Sequence, residues 1–201
     1  MVTVTECTTL GKGRLRFHLD NGTELVLYRG EAKQFRMREG STLSDEEEHQ
    51  LIYEVVGKRA KRRTMHLLEQ MDRTEQQLRD KLKQGGYPQA CIDLALEYVK
   101  SFHYVDDYRY ACTYINYRQD RMSRYQLKVK LYGKGVPGEL VDRALEECYE
   151  GDEQEQIIHL LEKKKFDAQN SDPKEFTRVY QYLMRRGFRS NDVLHAMKSK
   201  Q

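Results

Sequence analysis

The residues best suited to chemistry in this chain are arginines, lysines and tyrosines crowded into its centre. Residues 121–134 carry five basic side chains and no acid, and seven of the 14 tyrosines lie between Tyr104 and Tyr132. Cationic side chains bind phosphate oxygens or acidic protein faces, and tyrosine rings stack on bases or anchor protein interfaces. We therefore expect a surface for an anionic partner, with Tyr117, Tyr125 and Tyr132 as exposed anchors.

The order of charges along the chain also favours such a partner. Helices prefer acids in the first turn and bases in the last. Two segments follow this rule: the acidic residues 45–48 precede the basic residues 58–63, and the acidic residues 152–155 precede the basic residues 163–165. Residues 121–134 do not, because bases stand at the start of the predicted helix as well as at its end. A phosphate backbone or an acidic protein face would compensate for that arrangement.

Sequence motifs for catalysis are missing. There is no Gly-x-x-x-x-Gly-Lys-Ser/Thr loop and no Gly-x-Ser-x-Gly elbow, and the six histidines include no His-x-x-x-His pair. Asp106 and Asp107 could form a paired acid site, but the N-cap and first turn of a helix explain them better. An enzyme would need a convergent polar pocket, so we predict a non-enzyme that binds neither metal nor cofactor.

The cysteines and the lengths of the apolar stretches predict a cytoplasmic protein. Cys7, Cys91, Cys112 and Cys148 are far apart and form no Cys-x-x-Cys pair. This spacing argues against a disulfide framework or a zinc site and favours small buried thiols in a reducing cytosol. The longest uncharged stretch has nine residues, which is too short to cross a membrane, and the first residues lack a secretory signal.

The composition indicates an extended helical protein rather than a compact globule. The 201 residues are 33% charged and 38% hydrophobic, with a mean hydropathy of −0.87, which is polar for a globular domain. Aromatic residues make up 10% of the chain and prolines number only three. These values argue against intrinsic disorder.

The first part of the chain, residues 1–42, is predicted to form a small β-rich unit. Apolar residues alternate along residues 14–20 and again along 24–28. Between them stands Asn21-Gly22, a strong hairpin signal. A hairpin alone is marginal in water, so we expect three strands at most.

From Ser44 the apolar spacing becomes helical, and a helix–turn–helix pattern then occurs three times. Each copy has an apolar pair four residues apart, a turn at Gly86, Gly135 or Gly187, and a second apolar stripe. Gly57 is interpreted as a break or bend in the leading helix. A further helix is predicted before each pair, over residues 57–71, 106–120 and 152–166.

Capping residues mark the start of the first helix in each pair. Thr74 with Gln77 and Ser123 with Gln126 form capping boxes, and Asp172 precedes a proline at the third start. Such short helices are marginal alone, so they must pack into three-helix units that stack into an elongated, curved array. The predicted repeats are residues 43–103, which include the leading helix, 104–150 and 151–201.

The alternative interpretation of this pattern is a helix-turn-helix domain that recognises duplex DNA. In the second copy, however, the turn at Gly135 leads into residues 139–155, which hold eight acids and one base. An acidic second helix is poorly suited to a major-groove probe. The basic helix is the one before the turn.

Three runs of the sequence resemble motifs of the RecX family, bacterial regulators of the RecA recombinase. Residues 73–87 resemble the family's first-repeat signature, and residues 104–111 resemble the entry to its second repeat. Residues 123–136 resemble its basic helix and Lys-Gly-Ile turn. Thr74 and Gln77 stand where the family usually has Ser and Glu, and both keep the capping chemistry.

The resemblance extends from about residue 44 to the end of the chain, and a β-rich N-terminal extension also occurs in some members. It implies three tandem three-helix repeats, no enzymatic activity, binding in the groove of the RecA–DNA filament and inhibition of the recombinase. We expect a monomer without cofactors. The alternative is a stand-alone protein that binds single- or double-stranded DNA without RecA, against which the modest net charge of +3 argues.

Basic side chains recur in all three repeats, and we expect them to carry the contacts to RecA or DNA. The second repeat supplies the central surface, and the others extend it along the array. The predicted contact residues are Lys58, Arg59, Arg62, Arg63, Tyr117, Arg118, Arg121, Arg124, Tyr125, Lys128, Lys130, Lys134, Arg185 and Arg186.

Overall fold

The computed structural model describes residues 1–199 and divides into two compact units. The first unit is Met1–Asp106, and the second begins at Asp107. The predicted third repeat runs to residue 201, so its last two positions lie outside the described residues. Helices dominate both units, as predicted, and no described helix combines the length and apolarity needed to cross a bilayer.

The first unit opens with a four-stranded antiparallel sheet in the order β3-β2-β1-β4. Strands β1 (Val2–Gly11), β2 (Arg14–Leu19) and β3 (Glu24–Tyr28) are the expected ones. The fourth strand, β4 (Thr42–Leu43), pairs with the start of β1. The prediction of at most three strands was therefore wrong, because two residues are too few to show an alternation.

A continuous helical segment follows the sheet. After a short, unforeseen helix α1 (Arg29–Gln34), helix α2 (Asp45–His49) passes through a π-helical segment, Gln50–Val56, into α3 (Gly57–Gln70). Gly57 does not break this segment, contrary to its interpretation from sequence. A Cβ at Gly57 would lie 2.8 Å from a methyl carbon of Leu94, so the glycine lets two helices pack closely.

Helices α4 (Glu75–Gln84) and α5 (Gln89–Ser101) complete the first repeat. Thr74 and Gln77 form the predicted capping box of α4. The sheet and the first repeat share one hydrophobic core, in which Phe17 and Leu25 lie with Leu78. Each such fully buried side chain contributes roughly 1.5–3 kcal/mol of hydrophobic free energy.

The second unit contains two three-helix groups, each with its own hydrophobic core. The caps at Ser123 and Asp172 lie where the sequence predicts them. The helices preceding each pair are somewhat shorter than predicted. The first group is α6 (Asp107–Asn116), α7 (Arg124–Tyr132) and α8 (Gly138–Glu147); the second is α9 (Glu153–Lys163), α10 (Pro173–Arg185) and α11 (Ser190–Ser199).

Two of the four cysteines are paired. A disulfide joins Cys112 on α6 to Cys148 at the end of α8, with the two Cα atoms 5.5 Å apart. The expectation of four free thiols was wrong because helix packing, not sequence spacing, brings these residues together. Cys91 is fully buried, as predicted, and its thiol donates to the Ile52 carbonyl at 3.2 Å.

Candidate partner-binding surfaces

The start of the basic helix α7 is held by residues of the third repeat. Ser123 is fully buried, and its hydroxyl accepts the Gln126 N–H at 3.2 Å and donates to the Arg186 carbonyl at 2.6 Å. Within residues 1–199, only this serine half of the predicted capping box is formed. The helix that carries the central bases is therefore positioned by the turn after α10.

An acid also stands at the start of α7. The carboxylate of Glu153, on α9, accepts the backbone N–H of Arg124 at 2.8 Å. A carboxylate at a helix N-terminus interacts favourably with the helix dipole. The basic residues at the start of α7 therefore need no external anion to offset the helix dipole, because Glu153 of the third repeat supplies a negative charge there.

The bases of α7 lie on two opposite flanks of the helix, since successive residues are about 100° apart. On one flank, Lys128 forms an ion pair with Asp142 at 2.5 Å. That contact raises the pKa of Lys128. Arg124 lies over the Tyr149 ring, with its guanidinium carbon 5.9 Å from the centroid. With Glu153 at the helix start, this flank therefore has two carboxylates close to its bases.

Two cations that lie outside α7 rest on a pair of tyrosines of α6. The Arg118 guanidinium carbon lies 4.8 Å and the Lys134 nitrogen 5.2 Å from the centroid of the Tyr114 ring. The Tyr110 ring stacks one helical turn away, 6.4 Å from Tyr114. We call these four residues the tyrosine–cation surface. Cation–π contacts at exposed sites stabilise by about 0.5–1 kcal/mol each, so the rings hold both positive charges in place.

Two further predicted bases are exposed beside this surface. Lys130 precedes Lys134 by one helical turn, and Arg121 lies between Arg118 and the start of α7. Within residues 1–199, no carboxylate forms an ion pair with Lys130 or Arg121. Lys130 and Arg121 therefore add positive charge to the second repeat that no described ion pair offsets.

The predicted tyrosine anchors are exposed. Tyr117 is 85% exposed, Tyr125 60% and Tyr132 43%. Tyr125 also has a structural role, because a Cβ at Gly187 would overlap its ring. Gly187 has a φ of +78°, so the turn of the third repeat both needs glycine and packs on Tyr125.

Arg59 points inward and is already occupied. Its guanidinium forms an ion pair with Glu31 and donates to the Val26 carbonyl at 2.5 Å. Its central carbon lies 5.0 Å from the Tyr28 ring centroid and 5.4 Å from that of Tyr87. Arg59 therefore joins the sheet to the first repeat, in addition to its predicted contact role.

The remaining predicted residues lie at the surface of their own units. Lys58 forms an ion pair with Glu54 at 2.5 Å, whereas Arg62 and Arg63 are exposed on α3. Arg185 is exposed and Arg186 half-buried at the end of α10. The expectation that all three repeats form one continuous footprint stays a prediction.

Sequence reasoning missed the tyrosine–cation surface as a structural group. Tyr110 and Tyr114 are one helical turn apart, which is a readable signal for adjacent rings. Their stacking under Lys134 depends on how α6 packs beside the end of α7, which no local pattern encodes.

Models of one protein family match the chain in three successive parts. The RecX first three-helix domain matches residues 60–98, the second matches 106–145 and the third matches 151–197. A regulatory protein RecX of Trichlorobacter lovleyi is 36% identical over 132 residues, which cover 63% of this chain and 86% of that protein. One of Caldanaerobacter subterraneus is 28% identical over 162 residues, 80% of each chain.

Solved structures have the same fold. A crystal structure of regulatory protein RecX aligns with a TM-score of 0.66 at 20% identity, covering 98% of this chain and 100% of that one. RecX from Lactobacillus salivarius aligns with a TM-score of 0.63 at 17% identity, over 72% and 96% of the chains. The fold defines a protein in which tandem three-helix domains follow a small N-terminal sheet along the chain. The family matches go further: the chain belongs to the RecX family of regulatory proteins.

Proposed function

We propose that the protein binds the RecA–DNA filament in the cytoplasm, as a monomer, and lowers its recombinase and ATPase activity, thereby modulating DNA repair and recombination. Its role is regulatory rather than catalytic. Membership of the RecX family supports this function. The observation that carries it is the tyrosine–cation surface, with Lys130 and Arg121 exposed beside it.

The short length of helix α7 favours a partner with a repeating structure. Helix α7 has nine residues and is therefore about 14 Å long, so it contacts only a few phosphates or one protomer interface. Contacts that are weak singly become strong when several repeats bind along one filament. A filament of identical protomers on DNA offers such repeated acidic and phosphate groups.

The test measures the single-strand-dependent ATP hydrolysis of RecA while the protein is titrated in. The variant R118Q/K130Q removes one charge from the tyrosine–cation surface and one from α7 itself, and it leaves the caps of α7 intact. Two exposed ionic contacts of up to about 1 kcal/mol each should together raise the inhibitory concentration by up to about 30-fold. The matched control K163Q/K174Q removes equal charge from the third repeat and should inhibit like the wild type.

A bare-DNA titration in parallel separates the two candidate partners. Inhibition at concentrations too low to coat the DNA supports filament binding. Inhibition that appears only when the DNA is saturated would favour a stand-alone DNA-binding protein, whose affinity should fall steeply with salt. Unchanged inhibition by R118Q/K130Q would refute the assignment of the surface.

A further inference from the structure

A cleft in the first unit is lined by four cations and no acid. It has a volume of 440 Å³ and lies where the sheet meets α3 and α4. We call it the sheet–helix cleft. Its charged and aromatic lining residues are Arg14, Tyr28, Arg59, Arg63, Lys81 and Tyr87.

One wall of the sheet–helix cleft is rigid. The side chain of Arg59 is only 20% exposed, and its bonds to Glu31 and Val26 fix the guanidinium between the rings of Tyr28 and Tyr87. The Tyr87 phenol is neutral at physiological pH and can donate a hydrogen bond, and burial raises its pKa further. Arg59 and the two rings therefore form a fixed back wall of the cleft.

Three other cations surround this wall. Arg14 lies opposite Tyr28 in the β2–β3 register, which places their side chains on the same face of the sheet. Arg63 follows Arg59 by one turn of α3, and Lys81 lies in the last turn of α4. These three positions face one concavity although they come from three separate elements.

These three cations lack local compensation. Among residues 1–199, no carboxylate forms an ion pair with Arg14, Arg63 or Lys81. The helix dipole stabilises the positive charge of Lys81 in the last turn of α4. It does not stabilise Arg14, which lies on a strand, or Arg63, which lies in the middle of α3. Like charges around one cleft repel each other, and a bound anion reverses that cost. Guanidinium groups match the geometry of phosphate oxygens in particular.

We propose that the sheet–helix cleft binds phosphate groups, one for each of its three unpaired cations, and that the backbone of single-stranded nucleic acid supplies them. Only the choice of that source rests on the proposed function. The site gives the N-terminal sheet a role in binding, because the sheet contributes Arg14 and Tyr28 and its Val26 carbonyl holds Arg59.

The test uses the full chain without RecA and a fluorescent oligothymidylate of about 20 nucleotides. The variant R14Q/R63Q/K81Q removes the three unpaired charges and leaves Arg59 in place. The control K33Q/R38Q/K83Q removes equal charge from side chains that do not line the cleft. Affinity for a single strand depends on salt with a slope of about −0.7 per phosphate contact, so the cleft variant should lose about 2 units of slope.

A second probe, inorganic tripolyphosphate, separates the two sources of phosphate. It should raise the melting temperature of the wild type and of the control but not of the cleft variant. If tripolyphosphate stabilises the wild type but not the cleft variant, while both proteins bind the oligonucleotide with the same salt slope, then the site exists and its ligand is a free polyphosphate. If the cleft variant and the control behave alike with both probes, the site does not exist.

Two further measurements keep these results interpretable. The single variant R63Q changes one exposed side chain and should lose about 0.7 units of slope, so the test does not depend on the folding of the triple variant. If the cleft variant still inhibits RecA, the proposed function stands and the cleft lies outside the filament contact. If the wild type binds oligonucleotide through the cleft but never inhibits RecA, the proposed function fails and the site stands.

Discussion

Replacing Ser123 by alanine should destabilise the second unit more than the loss of an ordinary helix cap would. The substitution removes the acceptor for the Gln126 N–H, which costs about 1 kcal/mol. It also leaves the Arg186 carbonyl without its hydroxyl donor, which costs about 1–3 kcal/mol if no water replaces it. Because Ser123 is fully buried, we expect S123A to lower the free energy of unfolding by about 2–4 kcal/mol, measured by urea titration.

The control for this prediction is D172A, in the same unit. Asp172 caps α10 through the Glu175 N–H at 2.6 Å and is exposed, so its loss should cost only about 1 kcal/mol. Ser123→Thr keeps the hydroxyl and should retain most of the stability. If S123A and D172A cost the same, the bond between Ser123 and Arg186 contributes nothing and the reasoning is wrong.

Three further perturbations test other features. Reducing the Cys112–Cys148 disulfide, which spans 36 residues, should lower the free energy of unfolding by about 4 kcal/mol; equal urea midpoints with and without dithiothreitol would contradict this. Cys91 should resist iodoacetamide in the folded protein, because burial raises the pKa of Cys91 to about 12; alkylation as fast as in urea would show otherwise. Hydrogen bonds from Lys100 and then Arg79 lower the pKa of Glu75, so E75Q should cost up to about 1 kcal/mol at neutral pH. That stabilisation is lost as the pH falls through the lowered folded pKa, so melting curves of E75Q and wild type should converge in acid, and a constant difference would refute the coupling.

Features encoded within a few residues of the chain could be predicted from the sequence. The apolar spacing and the capping residues Thr74, Ser123 and Asp172 located the helices, because both signals act within one or two helical turns. Alternation and Asn21-Gly22 likewise located the hairpin. The exposure of Tyr117 followed from its place outside the apolar stripe of α6.

Features that depend on packing between distant segments could not be predicted. The strand β4 pairs with the first residues of the chain, and the disulfide partners are 36 residues apart. The carboxylate of Glu153 reaches α7 from the next repeat. Charge spacing predicted one basic surface, but it could not show that Lys128 forms an ion pair with Asp142.

The hydroxyl of Ser123 and its acceptor at Arg186 are separated by 63 residues, which sets an order of events during synthesis. At about 5–20 residues per second, the ribosome adds the acceptor some 3–13 s after the serine. During that interval the emerging helix α7 lacks the carbonyl and the packing against Gly187 that later hold its first turn. A nascent chain stalled before the third repeat would therefore expose an incompletely anchored basic helix, and messages truncated there should yield products that proteases degrade quickly.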